Sequence, residues 1–581
     1  MKTIVSSALL LASTLLTPFP IYADINHNKP PLSLTLEQVK SWSETPSLKA
    51  ENVISTVPVQ PRFRVETDLP THPDLKVLIA PDGMNNLGNY NTQQDVFNLY
   101  NFTHWSYIDS LVWFAGTANE TVSIPARPWV DTAHRNGVKV LGSIFLAVNQ
   151  YGGSIDTVKR FLARDENGEF PVAKELLAIA DYYNFDGWLM NQETDLTKQK
   201  DENGQLIARQ DFKTGKYLAQ EMQDFMRYLT QIAPEHMEIH WYDAMISDGQ
   251  VKWQNMLNKQ NTPYFQDGKQ RISDAIFLNY WWNEDMAKQS FSHVNQIDRA
   301  PYDVYFGVDL WPARNAQAMF RSTQWLDALF PATHKAGLGS IALFGNNANF
   351  NFAGTDDIKA LSRFQSDKQD YQAFYQTEQR LFAGDDLNPM THDKSQSWVG
   401  LARYIPAKSP LMALPFSTSF NTGHGLQWFE HGTAVRGEWH DIAKQDIVPT
   451  WQFAIEGNNS LALNYDFDSA YSGGSSLAVV GDLSQGRAVV PLYSTRFNIN
   501  SASSFTVAFK QNTPGELIEV WLETANGKHI SVSLPAKGSN WQTHKVSLSD
   551  YQGQSIVAIG LATKDKTVTS FKANIGFMEL N

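Results

Sequence analysis

Phe185–Glu193, reading FDGWLMNQE, is the stretch on which the fold turns. An apolar run ends there in two polar side chains, Asn191 and Glu193, spaced two apart. On a β-strand that spacing puts both on one face, roughly 6–7 Å apart along the strand. A buried strand that ends in chemistry-bearing side chains is the usual arrangement at the C-terminal mouth of a parallel barrel. The pair itself is unusual. Most glycosidases use two carboxylates, and the exceptions include enzymes whose substrate supplies its own nucleophile, the carbonyl oxygen of a 2-acetamido group. Such chemistry needs one acid/base, a role for Glu193, and one neighbour that orients the acetamide, a role for Asn191. Asp195 shares their parity and becomes a conventional nucleophile if the strand runs on, but Thr194-Asp195 reads as the start of a loop.

Outward from this strand, residues 75–345 alternate short β-branched runs with longer amphipathic stretches. The expected strands are Lys76–Ala80, Ile108–Phe114, Val138–Phe145, Gly187–Asn191, Glu238–Tyr242, Ala275–Tyr280, Val304–Val308 and Gly339–Phe344. Helical patterns fall between them at Pro128–Asn136, Val172–Tyr183, Gly215–Ile232 and Thr323–Ala336. Eight strands alternating with helices predict an α/β fold, a (β/α)8 TIM barrel. The other strand ends bring Trp113, Tyr242, Asn279 with Trp282, Asp309 and Asn346 toward one cleft.

Beyond residue 365 the texture changes. Short alternating runs separated by Gly, Ser and Asn occur at Ser460–Tyr465, Ser476–Val480, Phe505–Lys510, Glu516–Glu523, His529–Leu534, Ser555–Ala562 and Ala573–Glu579. They predict one or two C-terminal β-sandwiches. The expected division is a signal peptide at 1–23, a lead-in at 24–70, the barrel at 71–400 and the β-sandwich region at 401–581.

The chain has 581 residues, 42% of them hydrophobic, which suffices for several cores. Its net charge of −13 argues against binding a phosphate backbone, so no nucleic-acid partner is expected. Lys2, the apolar run Ile4–Leu16 and Ile21-Tyr22-Ala23 read as a secretory signal, too short to span a membrane; the expected location is secreted or periplasmic. There is no cysteine, so stability rests on the cores. Seventeen tryptophans, many beside Asn, Asp, Gly or His, suit a sugar-binding cleft, although packing accounts for most such rings. His236, Glu238 and His240 alternate like metal ligands but match no ligand pattern, and no metal or other cofactor is expected. Asp466 and Asp468 read as a turn rather than a calcium site.

Several ordered segments together resemble glycoside hydrolase family 85: Tyr100–Gly116, Pro128–Leu146, Phe185–Glu193, Trp241-Tyr242-Asp243, Trp253-Gln254-Asn255, Asn279–Trp282, Phe306–Asp309 and Pro415–Gly425 with Trp428-Phe429. The similarity covers most of residues 75–450 and is weaker over Pro81–Tyr90 and Asn346–Phe350. It implies a retaining endo-β-N-acetylglucosaminidase that cuts between the two N-acetylglucosamines of the N-glycan core, on glycoproteins or free oligosaccharides, through an oxazolinium intermediate. Hydrolysis is then expected to compete with transglycosylation. The resemblance assigns catalysis to Glu193 and Asn191, acetamide binding to Tyr242, and substrate contacts to Trp113, Trp253 and Trp282, beside Asn279 and Asp309. A monomer is expected. The competing readings are a chitinase-like hydrolase and a non-catalytic glycan-binding protein.

Overall fold

The computed structural model describes residues 33–84, 87–201, 204–311, 323–331, 336–348, 350, 371–393 and 395–581. The expected leader at 1–23 lies outside them. Eight parallel strands close into a barrel: β1 (Val77–Ala80), β2 (Ser110–Val112), β3 (Lys139–Leu146), β4 (Gly187–Gln192), β5 (Glu238–Tyr242), β6 (Ala275–Leu278), β7 (Val304–Asp309) and β8 (Ser340–Phe344). Closure comes from β8 pairing with β1, Ile341 opposite Val77, while Gly142 of β3 sits opposite Trp188 of β4. Each of the eight strands expected from sequence is present.

The period-two alternation of a strand divides each one between two cores. Leu78, Val112, Leu141, Leu189, Tyr242, Phe277, Tyr305 and Ala342 point inward and fill the barrel. Val77, Ile79, Leu111, Val140, Trp188, Met190, Ile276 and Leu343 point outward under the helices. Gly187 begins β4 at φ +128°, and a Cβ there would meet the Glu238 carbonyl at 2.0 Å. Only glycine lets β4 and β5 start so close together.

The surrounding helices include α1 (Arg127–Arg135), α2 (Pro171–Tyr183), α3 (Phe212–Ile232), α4 (Glu284–Gln296) and α5 (Gln324–Leu329). Pro171 opens α2, and Asn184 closes it in the left-handed conformation. Asp211 caps α3 by accepting from the Lys213 and Thr214 amides. The last expected helix, Thr323–Ala336, is described only as α5; residues 332–335 lie outside the described set.

A further helix, α6 (Tyr371–Ala383), lies between the barrel and the C-terminal sheets. Its buried Glu378 accepts from the Thr103 amide at 2.8 Å and stands 2.7 Å from His104 Nδ1, while Gln376 donates to Asn464 at 3.2 Å on the other side. Two antiparallel sheets follow. One has the order Leu461–Asp466, Ser476–Gly481, Phe571–Leu580, Ser504–Gln511, Gln542–Ser547, with Phe416–Thr418 also on Phe571–Leu580. The other runs Glu456–Gly457, Ala488–Asn498, Ser555–Thr563, Ile518–Thr524, His529–Ser533. The connecting segment is bonded to the barrel. Trp105 donates to Gln445 at 2.6 Å, and Gln452 to the Thr103 carbonyl at 3.0 Å. Asp466 is paired with Lys572 at 2.8 Å and accepts from the Asp468 amide, an ordinary turn.

Candidate active site

The strand pattern of β4 carries one residue past its formal end, because the Glu193 amide still donates to the Leu146 carbonyl at 2.9 Å. Leu189, Asn191 and Glu193 therefore share the inward face, while Gln192 turns outward to bond the Thr194 carbonyl at 2.8 Å. Asn191 Nδ2 donates to Glu193 Oε2 at 3.0 Å, and Trp253 Nε1 donates to Oε1 at 3.3 Å. Burial pushes the Glu193 carboxyl above its ordinary value, and those two hydrogen bonds offset part of the rise. Such a carboxyl holds its proton to higher pH, as a general acid requires.

Tyr242 ends β5, and its phenol donates to Asn279 Oδ1 at 2.8 Å. Burial is the main reason its phenol titrates well above the ordinary range. Asn279 in turn donates through Nδ2 to Asn255 Oδ1 at 2.8 Å, and the same oxygen accepts the Trp281 amide at 3.1 Å. Asp243, fully buried, accepts from the Asn255 amide at 2.7 Å, from Asn261 Nδ2 at 2.8 Å and from the Asn279 amide at 3.3 Å.

Of the residues singled out from sequence, the structure brings together Asn191, Glu193, Tyr242, Asn279 and Trp253. It does not bring Trp113 to the cleft. Val112 and Phe114 pack with the inward set, so Trp113 between them points outward, 0% exposed, edge-on to Tyr90 and Trp129. Trp282 is also buried, donating to the Gly307 carbonyl at 2.7 Å and packing on Phe306. Its neighbour Trp281 is the exposed ring of that doublet, at 62%. Asp309 is buried at the end of β7 and accepts the Trp311 amide at 3.0 Å.

Asp195 begins the loop. Its carboxylate accepts from the Thr197 amide and hydroxyl, while Asn149 accepts from its amide. Two of the alternating trio are likewise taken up locally, since His240 and Lys139 both pair with Glu238 at the opposite end of the barrel, while His236 is exposed before β5. Among the described residues, no cluster of three or more His, Cys, Asp or Glu side chains is arranged to hold a metal ion. Asp243, Asn255 and Trp281 are site-forming residues that strand-end reasoning passes over. The Trp241-Tyr242-Asp243, Trp253-Gln254-Asn255 and Asn279–Trp282 segments were the signal available for them.

The sequence profile of glycosyl hydrolase family 85 matches residues 84–428. The cytosolic endo-beta-N-acetylglucosaminidase of Homo sapiens is 29% identical over 437 residues, covering 74% of this chain and 49% of that protein. The enzyme of the same name from Mus musculus is 31% identical over 396 residues, covering 67% of this chain and 44% of that protein. The chain thus spans about half the length of the curated relatives it matches. The glycoside hydrolase domain of Endo-D from Streptococcus pneumoniae R6 superposes with a TM-score of 0.78 at 24% identity, over 95% of this chain and 83% of that one, which shows a shared fold. The relatives' names correct one expectation: both are cytosolic proteins, which overturns the secreted or periplasmic location read from residues 1–23. No helix among the described residues is long and apolar enough to cross a membrane. The match over 84–428 takes in seven of the eight barrel strands, β2 to β8, together with the Asn191–Glu193 pair, and on that ground the chain belongs to glycosyl hydrolase family 85.

Proposed function

We propose that the chain is a retaining endo-β-N-acetylglucosaminidase that cleaves the GlcNAc-β1,4-GlcNAc bond in the core of N-linked glycans, carried on glycoproteins or as free oligosaccharides. The observation that carries this reading is the 3.0 Å bond from Asn191 Nδ2 to Glu193 Oε2. With Nδ2 so engaged, the amide oxygen of Asn191 is the acceptor left for the N–H of a 2-acetamido group. The relatives' names support the same substrate class.

In the first step the acetamide carbonyl oxygen attacks the anomeric carbon while the bond to the leaving oxygen breaks. Glu193 gives its proton to that oxygen. The positive charge that grows on the acetamido nitrogen is met by the fixed dipole of Asn191, and Tyr242 bonds the acetamide oxygen by turning its hydroxyl from Asn279 to the substrate. In the second step Glu193, now a carboxylate, takes a proton from water. The water oxygen bonds to the anomeric carbon, and the ring oxygen of the oxazolinium departs with its electron pair to restore the acetamide. Inversion twice gives retention, and a sugar hydroxyl in place of water gives transglycosylation. Trp253 and Trp281, exposed at 41% and 62%, supply ring faces for sugars beside the scissile bond. We read the protein as a monomer, with residues 71–400 as the catalytic unit.

Asn191→Ala tests the assisted mechanism. It should lose cleavage of intact glycopeptide yet still turn over a preformed sugar oxazoline, with products followed by mass spectrometry. Normal hydrolysis of glycopeptide by this variant refutes the reading.

A further inference from the structure

One carboxyl group in the site takes no part in those steps. Asp243 is fully buried directly after Tyr242, and every group that favours its charge is an uncharged N–H. Beside the Gln254 amide, three of its donors come from different places. Asn255 lies two residues after Trp253, Asn261 belongs to the same long loop, and Asn279 follows β6. Asn255 is held at φ +58°, and its side-chain oxygen takes both Asn279 Nδ2 and the Trp281 amide. Asn279 returns the connection to Tyr242 through the phenol at 2.8 Å. The bonds form a closed circuit: Asp243 to Asn255, Asn255 to Asn279, Asn279 to Tyr242, and Tyr242 by the peptide bond to Asp243.

We propose that Asp243 is the positioning residue of this site, its carboxylate holding the loops after β5 and β6 so that Tyr242, Trp253 and Trp281 keep one common geometry. The inference rests on the endoglycosidase reading above. A carboxylate has lone pairs for three donors; a carboxylic acid turns one oxygen into a donor aimed at an N–H, and the circuit opens. The titratable group that faces it is Tyr242 on its own strand, and Tyr242 is in turn the group that Glu193 and Tyr280 act on. Burial pushes the Asp243 carboxyl up to about 6, with the Asn261 and backbone N–H groups opposing the rise. The circuit therefore closes as pH rises past that value.

The test compares wild type, Asp243→Asn and Asn255→Gly on a glycopeptide across pH, together with calorimetric binding of a stable thiazoline mimic of the cyclised sugar. Asp243→Asn should lower kcat by about 10–100-fold through misplacement of the reacting groups. It should also displace or abolish the acid limb of kcat/KM while leaving the alkaline limb in place. A residue with a merely structural role lowers the active fraction without moving that limb. Should Asp243→Asn fail to fold, Asn255→Gly decides, because glycine accepts the left-handed backbone and only the side-chain link is lost. It should slow turnover and weaken the mimic by about tenfold at an unchanged acid limb. Wild-type kinetics and binding in either folded variant overturn the proposal for Asp243 alone. A wild type that neither cleaves glycopeptide nor binds the mimic overturns the endoglycosidase reading, and this proposal with it.

Discussion

The indole nitrogen of Trp253 stands 3.3 Å from Glu193 Oε1, on a side chain that is 41% exposed. A solvent-facing ring thus reaches back to a carboxyl whose charge burial disfavours. The N–H donor favours the ionised form. Trp253→Phe keeps the ring and removes the donor, so the Glu193 carboxyl should rise further. The acid must be protonated to act, and the alkaline limb of the kcat/KM profile should move to higher pH. A pH–rate series on a glycopeptide measures this directly.

Glu193→Gln preserves shape and the bond with Asn191 but cannot exchange a proton. Cleavage should fall by about 10²–10⁴-fold, the range for loss of a general acid/base. Thermal stability should be unchanged or higher, because an unfavourably buried carboxyl is gone. A thermal melt beside the rate assay separates the two effects.

The neighbouring tryptophans should part company under mutation. Trp113, packed on Tyr90 and Trp129, should cost about 3–5 kcal/mol of stability when cut to alanine, with KM unaltered in the folded fraction. Trp281→Ala should raise KM and move stability by no more than about 0.5 kcal/mol, as exposed sites do. Urea unfolding and steady-state kinetics on both variants check the pair.

His424 and His440 face each other across a two-strand ladder, each ring against Phe97. No described residue bonds any of their four ring nitrogens. Burial holds His440 down to about 3 and, aided by His440, holds His424 well below the ordinary 6.5. Both are neutral when folded and take protons near 6.5 when unfolded. Their contribution to stability is complete above that value and is lost as pH falls toward the folded values, at about 1.4 kcal/mol per pH unit for each ring. His440→Phe should flatten the slope of stability against pH by one ring's share, read from urea unfolding between pH 7 and 5.

The barrel was legible because its strands are short, apolar and regularly spaced: Gly187–Asn191 was expected and Gly187–Gln192 is found. In the C-terminal sheets, the longest strand of its sheet, Ala488–Asn498, escaped notice. Pro491 interrupts its pattern, and register shifts at Pro491/Tyr493 and Ser494/Phe497 break the alternation. The pairing of Asn191 with Glu193 follows from parity alone. Parity also places Trp113 on the far face, a consequence that listing aromatics at strand ends overlooks. Which ring of Trp281-Trp282 meets solvent depends on the Asn255 side chain, a loop contact with no periodic signal. The burial of Asp243 depends on three asparagines far apart in sequence, beyond the reach of any local pattern.

Ring closure has a temporal consequence. Val77–Ala80 remains an open edge until Ser340–Phe344 is delivered beside it. A growing polypeptide already contains Glu193 and Asn191 long before then, but as an unsealed sheet. A chain that stops before Ser340 therefore lacks the strand that seals the ring around Asn191 and Glu193.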